Sequence, residues 1–173
     1  MALEVDFSKM DGRDALDIAI VIEDEAQLAY EHLAEWVASD GNTEAAEFFS
    51  RMAVREKRHK TEIGERRREL YGDAPVRHDE DAPWQAEVPD YESVGKIVSL
   101  EEAFNVAMGA ETRAHDFYAD IARHAPDEAV RALAAEFADE EREHLGLLSA
   151  WLESVPESED ETPLDPDPAH IPE

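Results

Sequence analysis

Polar residues interrupt four helical apolar stripes, and they do so in a pattern that occurs twice along the chain. From about Asp14 to Ser39, Leu16, Ala19, Ile20, Ala26, Tyr30, Leu33, Ala34 and Val37 recur at spacings of three and four, with Glu23 in their midst. From about Glu44 to Leu70 the stripe is Ala45, Phe48, Phe49, Met52, Ile63 and Leu70, interrupted by Glu56 and His59. A third stripe, Leu100, Ala103, Phe104, Ala107, Ala114, Tyr118, Ile121 and Ala122, encloses Glu111. A fourth, Val130, Leu133, Ala134, Phe137, Leu148, Trp151 and Leu152, encloses Glu141 and His144. This spacing gathers each set on one face of a helix, so the glutamates and histidines are predicted to point into a core.

The two halves repeat. Glu23, Ala26 and Tyr30 recur 88 positions later as Glu111, Ala114 and Tyr118, and Glu56 and His59 recur 85 positions later as Glu141 and His144. The offset falls by three because the second hairpin has the shorter turn. Asp40-Gly41-Asn42-Thr43 ends the first helix and caps the second. Ser99-Leu100-Glu101-Glu102 reads as a capping box opening the third. Pro126 with Asp127 and Glu128 opens the fourth, with proline expected at the first helical position and acids in the first turn. Between Tyr71 and about Val98 lies a linker containing Pro75, Pro83 and Pro89. The fold expected is all-α: two helical hairpins joined by a long crossover into a four-helix bundle over residues 14–153. It follows an N-terminal segment, 1–13, and precedes a tail, 154–173, whose proline and acid content predicts disorder.

An unpaired buried carboxylate is costly, so each core glutamate has to be neutralised, paired or bound to metal. Most lysines and arginines, among them Arg55, Lys57, Arg58 and Arg142, fall off the stripes. Two metal ions answer the need. In Glu-x-x-His both side chains share one helix face and can reach one ion. Two such motifs, with one glutamate from each preceding helix, give each ion a histidine, a terminal glutamate and two shared glutamates. The metal ligands expected are therefore Glu23, Glu56, His59, Glu111, Glu141 and His144. Four carboxylates balance two divalent ions, and a mixed imidazole and carboxylate set suits iron, or manganese as the alternative. One Glu-x-x-His in a charged helix is ordinarily a solvated face; two on apolar stripes, at matching register with a partner glutamate, are not. Buried ion pairs without metal carry a desolvation cost that argues against them.

Tyr30 and Tyr118 follow the single glutamates by seven positions. They suit either hydrogen bonding to the ligands or a core role with a satisfied hydroxyl. His115 follows Glu111 by four and can reach the site, though a partly buried structural histidine is the commoner role. No catalytic residue beyond the ligands, and no site for an organic cofactor, is legible.

Composition removes several function classes. The 173 residues include 44 acidic against 16 basic, a formal net charge of -28, which opposes binding to nucleic acid and favours cations or basic partners. There is no cysteine, hence no disulfide, iron–sulfur cluster or thiol chemistry. The N-terminus lacks the pattern of a signal peptide and no apolar run reaches membrane-spanning length, so a cytoplasmic location without membrane contact is expected.

In its stretches Glu23-xx-Ala26-xxx-Tyr30 with Glu56-Lys57-Arg58-His59, and Glu111-xx-Ala114-xxx-Tyr118 with Glu141-Arg142-Glu143-His144, the chain resembles the rubrerythrins and the wider ferritin-like superfamily. The resemblance covers roughly residues 14–153. It implies a ferritin-like bundle holding two iron ions, with Glu56 and Glu141 bridging, Glu23 and Glu111 terminal, and His59 and His144 completing each ion. It implies a di-iron carboxylate oxidoreductase that reduces hydrogen peroxide, or oxidises ferrous iron with oxygen. The alternative is a non-enzymatic iron-binding or iron-responsive protein. A homodimer is expected by resemblance; the electron donor is not indicated. Rubrerythrins carry a further glutamate one turn along the third helix, where this chain has Ala114. They also usually carry a cysteine-bound rubredoxin domain, which a chain without cysteine does not have. The remaining six-ligand set is similar to a bacterioferritin centre, yet the haem methionine position there is Lys57 here. A proline-rich acidic tail stands where a cage ferritin has its fifth helix.

Overall fold

The computed structural model describes residues 11–75 and 100–154. It contains four helices and, among the described residues, no strand: α1 Gly12–Ser39, α2 Thr43–Tyr71, α3 Leu100–His124 and α4 Glu128–Ser154. The N-terminal decapeptide, most of the linker, the Ser99 capping position and the acidic tail lie outside the described residues.

Local chemistry sets the helix ends. Asp11 caps α1: its carboxylate accepts from the Arg13 and Asp14 amides, and the Asp14 side chain accepts from the Asp11 amide. This reciprocal box moves the start ahead of Asp14, where hydrophobic periodicity alone placed it. Gly41, at φ 87°, makes the turn, and Asn42 caps α2 by accepting from the Ala45 amide. Gly72, at φ 63°, closes α2 with its amide on the Arg68 carbonyl, a conformation cheap only for glycine. At α4 the expectation needs correction. Asp127 is the capping residue, accepting from the Ala129 amide at 2.7 Å, so Pro126 sits before the cap and not at the first helical position.

α1 packs antiparallel along α2, and α3 along α4; α1 also meets α3 and α4 across the hairpin boundary. The core divides into two apolar clusters. One joins Leu16, Ile18 and Ile22 of α1 to Ile63, Tyr118, Ile121, Val130, Leu133 and Phe137. The other joins Leu33 and Val37 to Phe48, Phe49, Met52, Phe104 and Leu148, with Trp151 stacked on Phe104 at 4.1 Å. The end of α2 lies with the end of α3, and the start of α2 with its start. These two helices are thus parallel, and the linker joins points at opposite ends of the bundle. This is a ferritin-like four-helix bundle of two hairpins. None of the described helices is long and apolar enough to cross a membrane.

The buried face of α1 is broader than its stripe, taking in Asp17, Ile18, Ile22 and Ala29, because three helices cover it. Leu70, read as part of the α2 face, is exposed: the last α2 residue in the core cluster is Ile63, and the final turns run past it.

Candidate metal centre

Between the two apolar clusters lies a polar layer. Glu23, Glu56, His59, Glu111, Glu141 and His144 all fall there, and all are buried. Each helix supplies its residues from near mid-length, where side chains one turn apart face the bundle axis. The His144 Nδ1 is 3.3 Å from Glu56 Oε1, 3.2 Å from Glu111 Oε2 and 3.4 Å from Glu141 Oε2. The His59 Nδ1 is 3.7 Å from Glu23 Oε2 and 3.8 Å from Glu56 Oε2. The two imidazoles lie parallel, 5.1 Å apart at 9°. Two groups have ligand atoms within 4.8 Å of one another: Glu56 with His59 and His144, and Glu111 with Glu141 and His144. Glu23 stands outside both and approaches through His59.

The electrostatics are those of carboxylates short of cations. Burial pushes Glu23 up to about 8, against the opposing influence of the nearby Glu56 carboxyl. Burial, then the charges of Glu111, Glu23 and Glu141, holds Glu56 well above the ordinary carboxylate range. Burial does the same to Glu141, against its hydrogen bond to His144. Burial also acts to raise Glu111, but hydrogen bonds from His144, Glu141 and Tyr30 outweigh it and hold that carboxyl low. Burial and the charges of His144, Arg58 and Arg55 bring His59 down to about 4. Both Glu23 oxygens, Glu56 Oε1 and His59 Nδ1 are buried without a hydrogen-bond partner. Orphaned acceptors in a dry layer are expensive, and ionised carboxylates with a neutral imidazole are the donor set that a divalent ion satisfies. The residues present therefore fit a metal centre.

Around this layer the repeat is not kept. The Tyr30 hydroxyl donates to Glu111 Oε1 across the hairpin boundary, which fixes the carboxylate's orientation. Tyr118 is buried with its ring 5.2 Å from Phe137. His115 turns to Asp116, 3.1 Å away on the exposed side, and is not brought to the glutamates. Ala114 is fully buried in the apolar cluster.

Arg55, set aside in the sequence as off the stripe, is at the site. Its Nε donates to His144 Nε2 at 3.1 Å and its Nη2 to Glu143 at 2.9 Å. A long side chain lays its stem over apolar surface and delivers its charge well off its own helix face. The one available signal was its position four before His59. The bond needs His144 Nε2 bare. Burial pulls this imidazole down, yet hydrogen bonds and charge from Glu111 and Glu141 push it up to about 10, which would protonate that nitrogen. The two states exclude each other, and Arg55 packed on Nε2 belongs to the neutral ring with its proton on Nδ1. Also missed was the buried pair of Asp17 and Arg67.

A family model described as Rubrerythrin matches residues 14–162. Among solved structures, an uncharacterized conserved protein from Magnetospirillum magnetotacticum MS-1 is similar, with TM-score 0.71 and 29% sequence identity over 86% of this chain and 97% of that one. Among curated proteins none matches.

Proposed function

The chain belongs to the rubrerythrin family, and on that premise we propose that its buried layer holds two iron ions and works as a di-iron carboxylate oxidoreductase. It reduces hydrogen peroxide and also reacts with oxygen when ferrous. The observation that carries this reading is the convergence of four buried glutamates and two histidines, several of their atoms lacking any partner. Two ferrous ions held there supply the two electrons that reduction of peroxide to water requires.

The protein's own contribution is binding, orientation and exclusion of water. Glu56 and Glu141 would be shared by the two ions, Glu23 and Glu111 would each serve one, and His59 and His144 would supply the nitrogen donors. Tyr30 orients Glu111. The apolar clusters on either side shield the layer from water, which strengthens every charge interaction within it.

Mixing anaerobic diferrous protein with peroxide and, separately, with oxygen tests the proposal. The expected outcome is ferric absorbance with both, faster with peroxide at equal concentration, and about two irons per chain. Rapid oxygen reaction with many irons retained as soluble mineral would favour ferroxidase and storage. No reaction with either oxidant would leave iron binding alone.

A further inference from the structure

The repeat that builds the metal centre breaks at one pair of equivalent positions on its rim. Adding the α2-to-α4 offset of 85 takes His59 to His144 and takes Arg55 to Glu140. At the His144 side Arg55 spans from α2 to α4 and seals the ring, bonding both His144 Nε2 and Glu143. At the His59 side the equivalent position is a carboxylate, and no comparable seal forms. Arg58 approaches His59 Nε2 only at 3.5 Å while its Nε leans 3.6 Å toward Glu62.

What lies there instead is a small cleft of about 70 Å³ between α2 and α4, lined by His59, Glu62, Arg66, Glu136, Phe137 and Glu140. His59 is buried and belongs to both the cleft and the inner layer, where its Nδ1 has no hydrogen-bond partner. Arg66 binds Glu136 at 3.0 Å across the mouth. Glu140 is partly buried and, among the described residues, makes no hydrogen bond or ion pair.

We propose that this cleft is the entrance for the divalent cation, that Glu140 draws the ion toward His59, and that Arg55 closes the opposite side to cations. The inference rests on the proposed metal centre and adds a direction of loading to it. In the cleft Glu62, Glu136 and Glu140 outnumber Arg66, and this net negative field raises the arrival rate of a cation; on the other side Glu143 only balances Arg55, and the guanidinium, which keeps its proton, lies against the His144 ring itself. The ion then passes from the Glu140 carboxylate to the ring of His59 and on to Glu23 and Glu56. Loading from one side fills the His59 position before the His144 position.

Cobalt(II), read by its visible absorbance in stopped-flow mixing with metal-free protein, tests this without turnover. Glu140→Arg is expected to slow uptake about tenfold at low ionic strength, with the difference closing as salt approaches about 1 M. Glu140→Gln should fall between it and the unaltered protein. Final cobalt per chain should be the same in all. Glu35→Arg, an equal charge change on the exposed face of α1, should stay within about twofold of the unaltered rate. Uptake by Glu140→Arg as fast as by Glu35→Arg overturns the entrance. So does a loss of final cobalt content at unchanged rate, which would make Glu140 a ligand. Failure of every protein, the unaltered one included, to take up cobalt overturns the metal centre itself and the entrance with it.

Discussion

Burial holds Glu23, Glu56 and Glu141 above the ordinary carboxylate range and sets them against the metal-free bundle, while the proposed centre needs all three, so a single substitution there should move the two states in opposite directions. Glu56 shows this most sharply, since burial and three neighbouring carboxylates all raise it. Glu56→Gln keeps the shape and removes the ionisation. Urea denaturation at pH 8 should find the metal-free variant more stable than the unaltered protein, by about 1 kcal/mol or more, while its iron affinity falls. A variant that loses stability in the metal-free state would show Glu56 already satisfied by the protein. Glu56→Ala with Glu141→Ala should abolish tight binding of both ions, as read by metal analysis. Tyr30 tests orientation. Tyr30→Phe removes the donor to Glu111 Oε1 and should cost about 1–3 kcal/mol in chemical denaturation of the metal-free protein; no change would mean that Glu111 finds another donor. All six buried polar residues of the layer were legible as polar residues on apolar stripes. That Tyr30 reaches Glu111 was not, because it depends on the register of one hairpin against the other, which no single helix's period encodes. Arg55 was hidden for a related reason: its head group acts on a different helix from the one its position describes.

The helices were easy to read where periodicity runs unbroken and harder where side chains compete for backbone groups. Asp11 and Asp127 set their helix starts by accepting amides, and those contacts move a boundary by a residue or two that periodicity cannot see. Asp17 was missed because it sits between Leu16 and Ile18, off the stripe of a helix covered on three sides. Its partner Arg67 is buried beside it and also donates to the Ala74 carbonyl at 2.7 Å, tying the start of α1 to the end of α2. Asp17→Ala leaves a guanidinium buried without its counter-charge and should cost about 3–5 kcal/mol by thermal or urea unfolding. Replacing both residues with apolar ones, Asp17→Leu with Arg67→Met, should recover most of that loss. A single variant within about 0.5 kcal/mol of the unaltered protein would show that solvent already shares Arg67.

For the molecule as a whole, metal should reverse the sign of the pH dependence of stability. Without metal, Glu23 is raised to about 8 and Glu56 and Glu141 well above their usual 4.5. Between about pH 4.5 and 8 the folded chain therefore holds protons that the unfolded chain has released, and stability falls as pH rises. His59, lowered to about 4, opposes it only below pH 6.5, where the unfolded imidazole gains a proton that the folded one refuses. Lowered Glu111 matters only below about 4.5. Three carboxylates outweigh one imidazole, so the melting temperature of the metal-free protein should climb from pH 8 to about 5.5. Loaded protein should do the reverse, since acid protonates the ligands and releases the ion. The net charge of -28 complicates the first half: acid also relieves surface repulsion and would raise the melting temperature by itself. Salt separates the two. At about 1 M the Debye length is near 3 Å, so the surface contribution collapses while the buried one persists. Calorimetry of metal-free protein in high salt should still show the rise toward acid, and Glu56→Gln with Glu141→Gln should shrink it to the part that Glu23 contributes. A metal-free protein that loses stability steadily from pH 8 to 5.5 would mean the core carboxylates are ionised and paired as folded. A slope that vanishes in salt would place the effect on the surface and not in the centre.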